Sequence, residues 1–181
     1  NPANPVRRGG YDTPDYAYGV AVAGSLAYVA DGDSGLQIID VSNPANPVRR
    51  GGYDTPDYAY GVAVAGSLAY VADGDSGLQI IDVSNPANPV RRGGYDTQGT
   101  AWGVAVAGSL AYVADGYSGM EIIDVSNPAN PVRRGGYDTQ NYAIGVVLAG
   151  SLAYVADGYS GMEIIDVSNP ANPVRRGGYD T

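Results

Sequence analysis

The stretch GVAVAGSLAYVADGDSGLQIIDVS, from Gly19 to Ser42, decides the fold. It holds three short runs rich in Val, Ile, Leu and Tyr, separated by Gly, Asp and Ser. Runs of that length and chemistry, bounded by turn formers, read as strands. Gly24-Ser25, between the first two, has Gly first, as a type II′ hairpin turn prefers. Asp31–Gly35, between the second and third, is again turn chemistry. A fourth run, Val48–Tyr53, follows Ser42–Pro47, where two prolines stiffen the crossing. The reading is strand A over Ala17–Ala23, B over Leu26–Ala30, C over Leu36–Val41 and D over Val48–Tyr53.

The unit repeats. The string NPANPVRRGGYDT begins at Asn1, Asn43, Asn85, Asn127 and Asn169, a spacing of 42 each time. Residues 1–42 and 43–84 are identical, so the array was either designed or amplified recently. A period of this length fits a helical solenoid or a propeller blade. The density of Pro and Gly leaves no room for two helices per unit. The expected fold is therefore all-β, a β-propeller of four-stranded antiparallel blades. Blades are expected at 14–55, 56–97, 98–139 and 140–181, with 1–13 as an additional outer strand.

Strands B and C are apolar at nearly every position. Leu26, Tyr28 and Ala30 face one way, Ala27 and Val29 the other, so both faces need a neighbouring blade. Strand A is small, with Gly19, Ala21 and Ala23, which suits the crowded centre of a ring. Strand D carries Arg49-Arg50 and Gly51-Gly52, read as protection of an outer edge.

Leu36-Gln37-Ile38-Ile39-Asp40 resembles the Leu-x-Ile-x-Asp core of the LVIVD repeat, and the flanking Ala-Tyr-Val-Ala-Asp-Gly and Asp-Val-Ser-Asn-Pro resemble the rest of it. The resemblance covers the whole chain. It implies a β-propeller, a secreted or cell-surface setting in microbes, and no enzymatic activity.

Propellers usually have four to eight blades. Four blades in a shallow arc leave two apolar end faces bare, and surfaces of that kind rarely stay uncovered. The expected partner is a second copy, a homodimer closing a ring of eight blades about a two-fold axis. The outer-strand copies at 1–13 and 169–181 then compete for one place at each junction.

Composition narrows the chemistry. The 181 residues carry a formal charge of −9 and no His or Cys, and all ten basic residues are Arg. That removes the Ser-His-Asp triad, thiolate nucleophiles, Schiff-base lysines and imidazole or thiolate metal sites. An acidic chain is a poor ligand for nucleic acid. No apolar run reaches the roughly 20 residues of a membrane helix, so no membrane insertion is expected. No signal peptide is legible, and the sequence starts at Asn1 without Met, which leaves a preceding leader or tag open. Asp31–Gly35 has clustered carboxylates but fails the EF-hand spacing, and Tyr117 and Tyr159 replace its second Asp in later copies. No cofactor and no metal are expected. Asp15 and Asp33 could approach as a hydrolytic pair, yet identical pairs recur and single out no site. Glu121 and Glu163 are read as exposed strand residues, Asp40 as a cap of the Ser-Asn-Pro turn, and the arginines as a solvated rim offsetting Asp12 and its equivalents.

The copies differ mainly in the D–A and B–C connections, which emerge on one face of an up-and-down blade. Only Val147 and Leu148 alter a strand interior. Loops on a rigid scaffold carry function, so that face supplies the candidate ligand-binding residues: Tyr16, Tyr18, Asp33, Tyr58, Tyr60, Trp102, Tyr117, Tyr142 and Tyr159. Two functions follow. One is a structural, self-assembling scaffold without catalytic activity; the other is an extracellular module that binds a glycan or protein through this Tyr/Asp-rich face.

Overall fold

The computed structural model describes residues 5–180. Each 42-residue unit forms one antiparallel sheet with its four strands in chain order. The first blade is β1 (Gly19–Ala23), β2 (Leu26–Ala30), β3 (Leu36–Asp40) and β4 (Val48–Tyr53). The second is β5 (Gly61–Ala65), β6 (Leu68–Ala72), β7 (Leu78–Asp82) and β8 (Val90–Tyr95). The third is β9 (Gly103–Ala107), β10 (Leu110–Ala114), β11 (Met120–Asp124) and β12 (Val132–Tyr137). The fourth is β13 (Gly145–Ala149), β14 (Leu152–Ala156), β15 (Met162–Asp166) and β16 (Val174–Tyr179), with one 3-10 turn at Gly158–Ser160.

Strands B and D match the sequence reading, while A and C are shorter by their outer residues. Strand A starts at Gly19, opposite Ala30, because the next residue of the partner, Asp31, turns away to donate its N–H to the Gly35 carbonyl. Strand C ends at Asp40 because the Val41 N–H bonds Ser25 in the hairpin turn. That turn is the expected type, with Gly24 at φ +60° and Ser25 on the negative side. Residues 5–13 make no sheet pairing.

The blades stack face to face. Tyr28, Ala30, Leu36 and Ile38 of blade one pack on Ala59, Ala69, Val71, Ile81 and Val83 from the second unit. The same arrangement joins blades two and three, and blades three and four. Each fully buried Leu or Ile contributes about 1.5–3 kcal/mol, so these contacts are the main source of stability. The inner strands approach closely. A Cβ on Gly19 would stand 3.1 Å from the Gly61 Cα, one on Gly61 3.0 Å from that of Gly103, and one on Gly103 3.1 Å from that of Gly145.

Strand D is built around its glycines for a reason the edge-protection reading misses. A Cβ on Gly51 would overlap the Pro86 carbonyl oxygen of the next blade, and Gly93 and Gly135 meet Pro128 and Pro170 in the same way. The glycine lets one blade's outer strand lie against the C–D crossing of its neighbour. The strand also carries a bulge, with Arg50 unpaired between Arg49 opposite Ile39 and Gly51 opposite Ile38.

Among the described residues, no apolar cluster joins blade four back to blade one. A Cβ on Gly145 would have only Ala156 of its own blade within 4 Å, at 3.9 Å, and one on Gly177 would meet nothing. Met162 is 38% exposed where its equivalent Met120 is fully buried, and Val20 is 67% exposed at the opposite end.

Candidate functional site

The D–A and B–C connections do share one face, and they join consecutive blades. Gly32 and Ala59 exchange backbone hydrogen bonds at 3.2 and 3.0 Å, and the bridges Gly74–Ala101 and Gly116–Ala143 repeat this. Next to each of these three glycines, and next to Gly158 of the last blade, lies a buried aspartate. Asp31, Asp73, Asp115 and Asp157 are fully buried and accept the backbone N–H of Asp15, Asp57, Gly99 and Asn141 at 2.8–3.3 Å. In the later copies the Thr97 and Thr139 hydroxyls donate to Asp115 and Asp157 at 2.6 Å. Thr13 and Thr55 donate instead to the Asp15 and Asp57 carbonyls. The Asp31–Gly35 segment is therefore a turn whose first carboxylate holds the loop entering the same blade. A comparison of copies carries this signal, since Asp31 never varies while its neighbour Asp33 does.

Burial pushes the Asp73 carboxyl up to about 6, with the nearby Asp57 carboxylate adding to the rise and hydrogen bonds opposing it. Asp40, Asp82 and Asp124 move the other way, to about 2, chiefly because the following serine donates to them, with Arg50, Arg92 and Arg134 assisting. The signs fix a pH profile. Asp73 takes up its proton more readily folded than unfolded, so its contribution to stability grows as pH falls from about 6 to about 4. The acids bonded to serine and arginine lose theirs as pH falls from about 4 to about 2. Thermal denaturation followed by circular dichroism is expected to give the highest Tm near pH 4–5, with Asp73→Asn flattening the limb above it. A Tm that falls steadily from pH 7 to pH 5 would contradict this.

The arginines and glutamates occupy different places from those expected. Arg50 pairs with Asp40 at 2.6 Å, not with Asp54, while Asp40 also accepts the Ser42 N–H at 2.9 Å, as a cap should. Glu121 and Glu163 are 1% exposed, buried rather than exposed. Their β-strand partners on D are Gly136 and Gly178, which leave room for Arg133 and Arg175 to reach across. Gln37 accepts from Arg49 at 2.7 Å in the same position and donates to the Ser34 carbonyl at 2.6 Å. The carboxylate of Glu121 cannot donate, and its Oε2 is left without a partner.

Seven of the nine candidate residues form one aromatic seam across the four blades. Tyr16 meets Tyr18 at 6.3 Å between centroids, Tyr18 meets Tyr60 at 5.0 Å, and Tyr58 stacks on Tyr60 at 5.9 Å. Tyr60 stacks on Trp102 at 4.1 Å, Trp102 meets Tyr142 edge-on at 5.8 Å, and Tyr142 meets Tyr117 at 4.5 Å. Trp102 Nε1 donates to the Tyr142 hydroxyl at 2.7 Å. Asp33 joins through the Tyr58 hydroxyl at 3.0 Å, and its own N–H is held by Asp15 Oδ2 at 2.8 Å. Both carboxylates of the conceivable hydrolytic pair are thus engaged in loop contacts. Tyr159 stands apart, 93% exposed. Four of the six contacts cross from one blade to the next, so the seam fastens blades, at about 0.5–1.5 kcal/mol per aromatic pair. Among the described residues no group of three or more His, Cys, Asp or Glu is arranged to hold a metal ion.

Several solved structures share the architecture. The computationally designed protein Ika4 superposes with a TM-score of 0.65 at 6% identity, over 89% of this chain and 97% of that one. A functionally unknown protein from Desulfotomaculum acetoxidans DSM 771 gives 0.77 at 16% identity, over 94% of this chain and 58% of that one. The designed protein Ika8 gives 0.65 at 6% identity, over 90% of this chain and 49% of that one. A comparison with curated proteins finds no match. The LVIVD repeat matches residues 14–55, 56–97, 98–139 and 141–181, one match to each blade. With four consecutive repeats spanning nearly its whole length, the chain belongs to the LVIVD-repeat family.

Proposed function

We propose that the chain is a structural, self-assembling half-ring, two copies of which meet head to tail as one eight-bladed propeller with no catalytic role. The observation that carries this reading is the chemistry of the two ends. The end face of blade one presents Val20 and Val22, with Val29 and Ile39 buried behind the N-terminal segment; that of blade four presents Tyr154, Ala156, Met162 and Ile164. These are the two halves of an interface that the chain already makes three times within itself. A repeat array meant to end in water has polar capping faces. Here Val147 on the free face of blade four stands where earlier copies have Ala, and it is 65% exposed. Two junctions related by a two-fold axis cover both ends of both chains.

Light scattering tests this. The expected mass is twice the 18.6 kDa of the chain; a monomer at every concentration would overturn the reading. The alternative, a module binding a glycan or protein, draws on Tyr16, Tyr117 and Tyr159, which remain exposed on the face where the copies differ. A reproducible hit on a glycan array would favour it over a bare scaffold.

A further inference from the structure

At the N-terminal end, one segment already occupies ground that the two-chain ring requires. A Cβ on Gly9 would overlap the Pro44 carbonyl oxygen, as one on Gly51 would overlap that of Pro86. Thr13 donates to the Asp15 carbonyl at 3.2 Å, as Thr55 does to that of Asp57 at 3.1 Å. Residues 6–13 therefore sit on blade one as the outer strand of a preceding blade would, but with no blade behind them. Between this segment and the blade lies an empty cleft of about 510 Å³, walled by Arg8 and Tyr11 on one side and Val20, Val29 and Ile39 on the other.

The strand that belongs in that place in a closed ring is β16 of a second copy. It has the same sequence, and its Gly177 faces open space. The two candidates differ in what must be broken to move them. β16 is paired along β15 from Met162–Tyr179 to Asp166–Val174, and it carries the Arg175–Glu163 and Arg176–Asp166 ion pairs, the latter at 2.7 Å. Residues 6–13 have no ladder to lose. The weaker attachment yields.

We infer that residues 6–13 are a built-in competitor, a strap that holds the docking place on Pro44 and must leave before the partner's outer strand can take it. This rests on the two-chain reading. It makes ring closure adjustable: each chain must release its own strap, so a strap seated about nine times in ten raises the apparent dissociation constant of the dimer about a hundredfold.

The test is the dimer dissociation constant, from sedimentation equilibrium of three chains: the full chain, the chain lacking residues 1–13, and Gly9→Val. The last evicts the strap by overlap with Pro44 and leaves the remaining sequence intact. Both variants are expected to bind at least about tenfold more tightly than the full chain. A synthetic peptide of residues 1–13, added to the truncated chain, is expected to weaken its dimer again. If the variants dimerise no more tightly, or less tightly, than the full chain, the segment is a bystander or a bridge, and the strap is refuted while the ring stands. If none of the three dimerises at any concentration, the ring reading fails as well.

Discussion

Gly51→Val is expected to lower the stability of the chain by about 3 kcal/mol or more, the upper end of the range for overpacking. A valine suits an exposed strand, and propensity alone would favour it at this position. The neighbouring blade decides otherwise. The new Cβ would overlap the Pro86 carbonyl oxygen, with Ala87 Cα at 3.2 Å. That obstacle is backbone in a proline-stiffened crossing, not the tip of a flexible side chain, so relief requires parting blades one and two. Parting them loosens the apolar cluster of Leu36 and Ile38 against Ile81 and Val83. For a domain of this size the drop in Tm is roughly 2–4 °C per kcal/mol. Denaturant unfolding measures the change directly. A variant as stable as the parent would show that strand D does not press on the next blade.

Removing both terminal outer-strand copies, residues 1–13 and 169–181, is expected to make the chain aggregate. β15 is apolar at Met162, Ile164 and Ile165, and it would lose its only outer partner and become a bare sheet edge. Removing either copy alone leaves one identical string to fill the place, so both single truncations are expected to stay soluble. The soluble fraction after centrifugation distinguishes the three chains. A double truncation that remains soluble at the mass of a dimer would show that strand D has no part in closure.

The blade was legible because its determinants are local. Gly24 sets the hairpin turn, Leu26–Ala30 and Leu36–Asp40 alternate into two apolar faces, and the 42-residue period counts the blades. What escaped the sequence is contact between units. Gly51 looks like edge protection until Pro86 is seen against it. Glu121 looks exposed because a polar residue on a strand usually is; a glycine opposite and an arginine reaching across bury it. The candidate face was found through the differences between copies, yet pattern alone could not show that Tyr60 and Trp102 spend their ring faces on each other.

The most direct test of the two-chain ring is the mass of Gly177→Val beside that of the parent chain. Gly177 has the same local sequence as Gly51 but open space around it, so a valine there fits the isolated chain. In a closed ring the same valine would strike the partner's Pro44 carbonyl, as Gly51→Val strikes Pro86. Light scattering is expected to give a dimer for the parent and a folded monomer of 18.6 kDa for Gly177→Val. A variant that keeps the dimer mass would contradict the ring, because the end face carrying Gly177 would not be the one that docks.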